Sequence, residues 1–418
     1  MRLYMAEFRT HWRGLLSASL GLAAGTISNY VNNLFSPSLV AEFGWSKSEF
    51  ALIGLTVLIA AVCLPVAGRI VDKAGTRRMA MVGVVGLPLV FLGLSAMTGS
   101  FLMFFGLSVL QMLFVSCIAG VLVYTRLITG TFTLARGVAL GLASCAPALA
   151  TAFFSPLLSS FIESDGWRAG YLVMAGFTAV FGLAALVVMP RIQDSEAALK
   201  ATRPAVAGRY VEVLKGRTFQ VLFVALILCN LHFTVLTTQL KVVVLERGVS
   251  SEAGALMISL FALGVIGGRI ACGLALDRFA THIVSALSFG IPAVGLAVLA
   301  SGVSTPLVVG AGIVSLGLAM GAEGDLVVYL AAKYFPAGVF SSVLGLFTAA
   351  MAISATLGAL ILSATLNQFG HYGPFLGLTS VTMAAGTLLF LLVPRITGSR
   401  DRAGPGHAIP ASDAGPVR

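Results

Sequence analysis

Arg269 stands in the run AGALMISLFALGVIGGRIACGLAL, residues 253–276, in which no other side chain is charged. A guanidinium at that depth of an apolar helix costs about 3 kcal/mol on insertion scales unless it meets a partner or a watery cavity. It cannot lose its charge, and its planar fork of donors matches a carboxylate bidentately. Two acids share its depth. Arg269 lies seventeen residues past Glu252, and Glu323 lies seventeen past Pro306, about 25 Å along a helix in both cases. With Glu323 goes Asp325, in MGAEGDLVVYLAAKYF. Residues two apart on a helix are turned by about 200°, so the two acids cannot both face one cavity, whereas Asp325 and Tyr329, four apart, share a face. Arg269 is expected to hold an anion, the alternative being a structural ion pair. Asp325 is the better cavity acid and Glu323 the better packing acid, and either is a candidate for carrying a proton.

Further polar side chains recur at helical spacing within apolar runs. Thr26, Asn29, Tyr30 and Asn33 form one stripe; Asn230, Thr234 and Thr237 form another, with His232 and Gln239 on the opposite face. Such stripes either line a wet pathway or hydrogen-bond neighbouring helices. Asn29, Tyr30, Asn33 and Asn230 are candidate substrate contacts. So are Tyr124 and Tyr329, whose alternative role is anchoring at the membrane interface. His232 titrates in the range useful for moving protons. Nothing points to catalysis, a metal or a cofactor, and an enzyme is not expected. The five cysteines, Cys63, Cys117, Cys145, Cys229 and Cys272, fall inside apolar runs without CxxC spacing, and the glycine-rich stretches lack a phosphate-loop lysine. The energy source is therefore expected to be an ion gradient.

The elements that must position these residues are membrane helices. Of 418 residues 58% are hydrophobic and 10% charged, and the mean hydropathy is +0.99, which excludes an ordinary soluble domain. Twelve spans are predicted at 14–35, 50–71, 79–98, 101–124, 137–161, 169–189, 219–240, 253–276, 283–300, 306–331, 341–366 and 374–393. With the N-terminus in the cytoplasm, 21 of the 26 Lys and Arg fall on that side and only Lys47, Arg168, Lys241 and Arg247 on the other, Arg269 being left within the membrane. This predicts cytoplasmic termini and explains the net charge of +10 without nucleic acid. Residues 1–190 form a first six-helix bundle, 191–217 a basic cytoplasmic linker, 218–394 a second six-helix bundle and 395–418 a disordered tail.

The halves carry matched residues. Gly68, Asp72, Gly75, Arg77 and Arg78 mark the loop after span two, echoed by Asp277 and Arg278 after span eight at an offset of 205; Tyr124 and Tyr329 are related by the same 205. Equal offsets argue for an internal duplication. The motif G-x-x-x-D-x-x-G-x-R-R in that place resembles the major facilitator superfamily. Within it, Glu42-Phe-Gly-Trp-Ser46, Arg136-Gly-Val-Ala-Leu-Gly141 and an arginine eight residues before Asp277 resemble the branch of oxalate/formate antiporters and monocarboxylate transporters. The resemblance implies an all-α membrane fold of two pseudo-symmetric bundles that rock around a central site. It implies that Asp72 steadies one state at a helix end of the opposite bundle, that Arg269 binds a substrate carboxylate, and that Tyr124 and Tyr329 donate hydrogen bonds to it. The expected protein is a monomeric, proton-coupled symporter of a small organic monoanion, in the cytoplasmic membrane of a bacterium. A dicarboxylate/monocarboxylate antiporter is the nearest alternative, although span eleven lacks the second cation of the oxalate transporter. A drug exporter and a non-transporting receptor are the others.

Overall fold

The computed structural model describes residues 2–115, 121–132, 135–190, 215–335 and 339–397. The linker core, 191–214, most of the tail, 398–418, and Cys117 lie outside the described residues. All elements among the described residues are helical. The first half contains α1 (Arg2–Thr26), α2 (Ser28–Val31), α3 (Ser36–Phe43), α4 (Lys47–Ala51), α5 (Leu55–Ala74), α6 (Thr76–Ser95), α7 (Phe101–Leu113), α8 (Val121–Thr131) and α9 (Arg136–Val188). The second half contains α10 (Arg217–Asn230), α11 (Phe233–Thr238), α12 (Leu240–Glu246), α13 (Ser251–Arg278), α14 (Thr281–Ala300), α15 (Pro306–Tyr334), α16 (Phe340–Phe369) and α17 (Gly373–Thr397).

Eight helices among the described residues are long and apolar enough to cross a membrane, fewer than the twelve expected. Two of the missing four have a physical cause, while spans two and four include residues outside those described. Span one is not a single rod: it breaks after Thr26, passes through a 3-10 turn at Asn32–Leu34 and resumes as α3. Spans five and six run together as α9, in which Gly166 has non-helical angles, its φ of +85° being open to glycine and costly for other residues. The other positive-φ glycine that shapes the chain's path is Gly75, at +83°, which lets α5 turn directly into α6.

The duplication is visible in helix starts. α2 begins at Ser28 and α11 at Phe233, α6 at Thr76 and α14 at Thr281, α7 at Phe101 and α15 at Pro306, each pair 205 apart. Span seven is broken where span one is broken, so in both halves the first crossing is discontinuous. Interrupted helices free backbone groups at membrane depth, an arrangement tolerated only inside protein or beside a cavity.

Helices of each half pack chiefly on one another: α1 and α6 on α9, and α13 on α15, α14 and α10 on α17. Between halves, α16 packs on α4 and α5, and α13 on α9. Gly54 lies in that seam; a Cβ there would stand 2.6 Å from Thr234 Cγ2 and 2.7 Å from Ala359 Cβ. At the end of the molecule distal to both described termini, Trp45 stacks on Phe104 and meets Phe43 and Phe101, while Phe43 also meets Trp167. Trp45, Phe104 and Trp167 are buried, so the cluster is a packing core at that end of the first half.

Candidate functional site

The site begins with a glycine seam. A Cβ at Gly264 would stand 2.6 Å from Val314 O, at Gly268 2.1 Å from Leu318 O, at Gly317 2.2 Å from Phe261 O and at Gly321 2.0 Å from Val265 O. Only hydrogen fits at these positions, so α13 and α15 touch backbone to backbone. That contact lays Arg269 across α15 at the level of Gly324, whose Cβ position would be 3.9 Å from Nη2. Arg269 is half-buried, and its Nε is buried without a hydrogen-bond partner among the described residues. It acts electrostatically on Asp325, on Tyr30 of α2 and on Cys145 of α9. No ion pair within 4.0 Å joins it to an acid among the described residues. A charge held between the two halves with a buried, unpartnered Nε has the chemistry to hold an anion.

The two acids of α15 part company. Asp325 is half-buried on the Arg269 side, whereas Glu323 is 6% exposed and lies toward Asn230 and Cys229 of α10. Asn230 also donates Nδ2 to Leu226 O at 3.0 Å, which makes it a buried contact between helices. His232 occupies the break between α10 and α11; it is buried, and its Nδ1 has no partner among the described residues. Asn29 lines a polar cavity of about 50 Å³ between the halves, with Asn32, Gln111 and Thr237 among its walls. Asn32 and Gln111 exchange amide hydrogen bonds of 3.2 Å there. Asn33 is buried, donates to Tyr30 O at 2.6 Å and leaves its Oδ1 unpaired among the described residues.

The two tyrosines differ. Tyr329 is half-buried one turn from Asp325, but Tyr124 is 2% exposed and enclosed in the first half. A Cβ at Gly21 would fall 1.8 Å from Tyr124 Cζ, so the absence of a side chain at Gly21 is what admits the ring. Tyr124, expected on the central pathway, is a core residue in this conformation. The symmetric offset placed both tyrosines on matching helices without fixing what packs against each.

The loop motif is described in part. Arg77 is exposed and donates Nη1 to Met189 O at 3.3 Å, which ties the start of α6 to the end of α9, and Arg78 and Arg278 are exposed. The side chains of Asp72 and Asp277, and the surroundings of Gly68, lie outside what is described. The motif Glu42 to Ser46 is structural throughout. Glu42 accepts from Trp167 Nε1 at 2.5 Å and Arg168 Nη1 at 2.7 Å, and these two bonds, the Trp167 bond first, hold its carboxyl below the usual range. Gly44 ends α3 in the left-handed region, Trp45 donates to Gly99 O at 3.1 Å, and Ser46 with Glu49 forms a capping box on α4.

Residues not singled out in the sequence join the halves at the distal end. Lys241, counted as a loop cation, is 2% exposed; its Nζ donates to Ser159 Oγ at 2.8 Å and to Glu163 Oε1 at 3.3 Å, while Ser251 donates to Glu163. Lys47 pairs with Glu246, and Gln239, which accepts from Tyr372, donates to Lys47 O at 3.3 Å. Lys241 directly follows the last apolar residue of span seven, which is why charge counting assigned it to solvent. Its true signal is an acid, Glu163, just past the end of span five.

Long apolar helices in two repeats around a half-buried cation are the architecture of a membrane transporter. The chain belongs to the Major Facilitator Superfamily, whose sequence profile matches residues 18–359. It is 23% identical over 392 residues to human monocarboxylate transporter 11, covering 90% of this chain and 80% of that one. To the mouse protein of the same name it is 24% identical, covering 90% and 85%. Its fold matches a D-xylose-proton symporter, with a TM-score of 0.69, 14% identity and coverage of 94% and 98%. It also matches the nucleoside transporter NupG, with 0.70, 12%, and 92% and 98%. An inward-facing, occupied bacterial homologue of the human lysosomal transporter Spinster gives 0.70, 14%, and 96% and 99%.

Proposed function

We propose that this transporter carries a small organic monoanion, a monocarboxylate, together with a proton. The observation that carries the reading is Arg269 between the halves, with no ion-pair partner among the described residues, beside a half-buried acid on the helix it crosses. When that acid holds its proton, the one cation suits one carboxylate. The relatives named as monocarboxylate transporters support the same class. In this reading residues 1–190 and 218–394 are two rocking six-helix units joined by a cytoplasmic linker at 191–217, followed by a tail at 395–418. Both termini are cytoplasmic and the distal end faces outward, in the cytoplasmic membrane of a bacterium. The contacts of Lys241 and Lys47 then close the outer side, and Asp72 with its loop serves the opposite closure. Tyr30 and Tyr329, with Asn29, border the bound anion, while Asp325 exchanges the proton. The working unit is a monomer.

The test is a thermal-shift series on purified protein with C2–C6 monocarboxylates, dicarboxylates, sugars and lipophilic cations. A bound ligand at a hundredfold its Kd stabilises by about 2.7 kcal/mol, and only monocarboxylates should do so. Arg269→Ala should remove the shift while the protein still inserts. Arg269→Lys should retain little of it, because a point charge does not replace a planar fork. An unchanged shift in Arg269→Ala would reduce Arg269 to a structural residue.

A further inference from the structure

The face of the second half that turns away from the first carries an apolar groove among α13, α14 and α15. A hollow of about 370 Å³ is lined by Gly268, Ala271, Ala275, Phe279, Leu287 and Leu318, among others. A second of about 590 Å³ runs on past Leu256, Leu260, Leu307 and Gly310, and the two share Ile291 and Leu318. Leu287, Phe279, Leu256 and Leu307 are all exposed, so the groove opens sideways into what the membrane supplies. Along α13, whose 28 residues measure about 40 Å, the first hollow accompanies the Phe279 half and the second the half nearer Ser251.

A basic residue stands beyond the Phe279 end of the groove, on the helical face that Ala271 and Ala275 give to its lining. Arg278 is exposed and lies three residues past Ala275, on the same helical face. Apolar slots capped by a basic side chain at the end of a membrane helix have the chemistry of an anionic phospholipid site: acyl carbon in the slot, phosphate on the guanidinium. A second copy of the chain fits the groove poorly. A two-fold contact would set one concave face against another and leave the hollow unfilled.

We propose that this groove holds an acyl chain of an anionic phospholipid whose headgroup phosphate is bound by Arg278. The floor of the groove is the back of the glycine seam: Gly268 and Leu318 line the hollow and also form the contact that sets Arg269 across α15. The lipid therefore braces the substrate site from behind. This does not depend on which anion is carried.

Delipidated, detergent-purified full-length protein is titrated with phosphatidylglycerol and, separately, with phosphatidylcholine, and followed by thermal unfolding and native mass spectrometry. Phosphatidylglycerol should stabilise more strongly and remain as a bound adduct. Arg278→Ala, a change at an exposed position, should bring the two lipids to equal effect. Ala271→Phe, which fills an open part of the slot, should reduce the adduct severalfold while the variant elutes as folded protein. Equal stabilisation by both lipids in the unmodified protein, an adduct untouched by Ala271→Phe, or a dimer that Ala271→Phe dissociates would each overturn the proposal.

Discussion

At the scale of single residues, the site is a problem of which acid faces the arginine. Asp325 and Glu323 are two positions apart, and the helix turns them to different neighbours: Arg269 for one, Asn230 for the other. If Asp325 carries the proton, Asp325→Asn should abolish uphill accumulation in vesicles, by about tenfold or more, yet leave downhill exchange, because the anion still has Arg269. Glu323→Gln keeps a polar side chain of the same size beside Asn230 and should accumulate normally, with at most a lower yield of folded protein. Normal accumulation by Asp325→Asn would move the proton to another group, with His232 in its helix break next in order. Arg269, the two acids and their opposite faces could be read in the sequence, because charge is rare at membrane depth and helical rotation is arithmetic. The enclosure of Tyr124 could not, since it depends on Gly21, a hundred residues away, leaving room for a ring. Lys241 was hidden for a related reason: counting assigns a cation to solvent, and only its partners in another helix show that it is buried.

At the scale of elements, glycine placement decides where the arginine goes. Gly264 and Gly268 on α13 face Gly317 and Gly321 on α15, each where a Cβ would run into backbone. Backbone cannot yield as a long side chain can, so even one methyl must separate the helices. Gly321→Ala should cost about 1–3 kcal/mol as overpacking and tilt Arg269 away from Asp325. The expected result is a lower melting temperature together with a weaker carboxylate-induced shift. By contrast, Gly273→Ala meets open space and should alter neither. Twelve apolar stretches were legible, but the breaks in the first crossing of each half were not. Residues 27–35 and 231–239 contain no proline, and helix propensity alone gives no reason to stop there. The second break lies against α16, so closely that a Cβ at Gly358 would stand 2.0 Å from Leu231 O. The duplication was legible from two short echoes, and helix starts recurring at the same spacing show how far it extends.

At the scale of the whole molecule, the charge count in the pathway sets the energetics of transport. An anion entering alone works against an inside-negative potential by about 2.3 kcal/mol per charge per 100 mV. A single Arg269 that stays with the protein does not change that, because only charges that cross the membrane contribute. A proton that crosses with the anion makes the translocated pair neutral, and the pH gradient then becomes the driving force. In proteoliposomes, uptake should rise when the exterior is made acidic and remain nearly constant when a potassium diffusion potential is imposed with valinomycin. The sign follows from mass action: external protons load the outward-facing acid, and the alkaline lumen releases them. Exchange between monocarboxylates on the two sides should persist without any pH gradient, since each half-cycle moves a neutral complex. Uptake driven by an inside-positive potential and indifferent to pH would instead mean that the anion crosses unaccompanied, and the symport reading would fail.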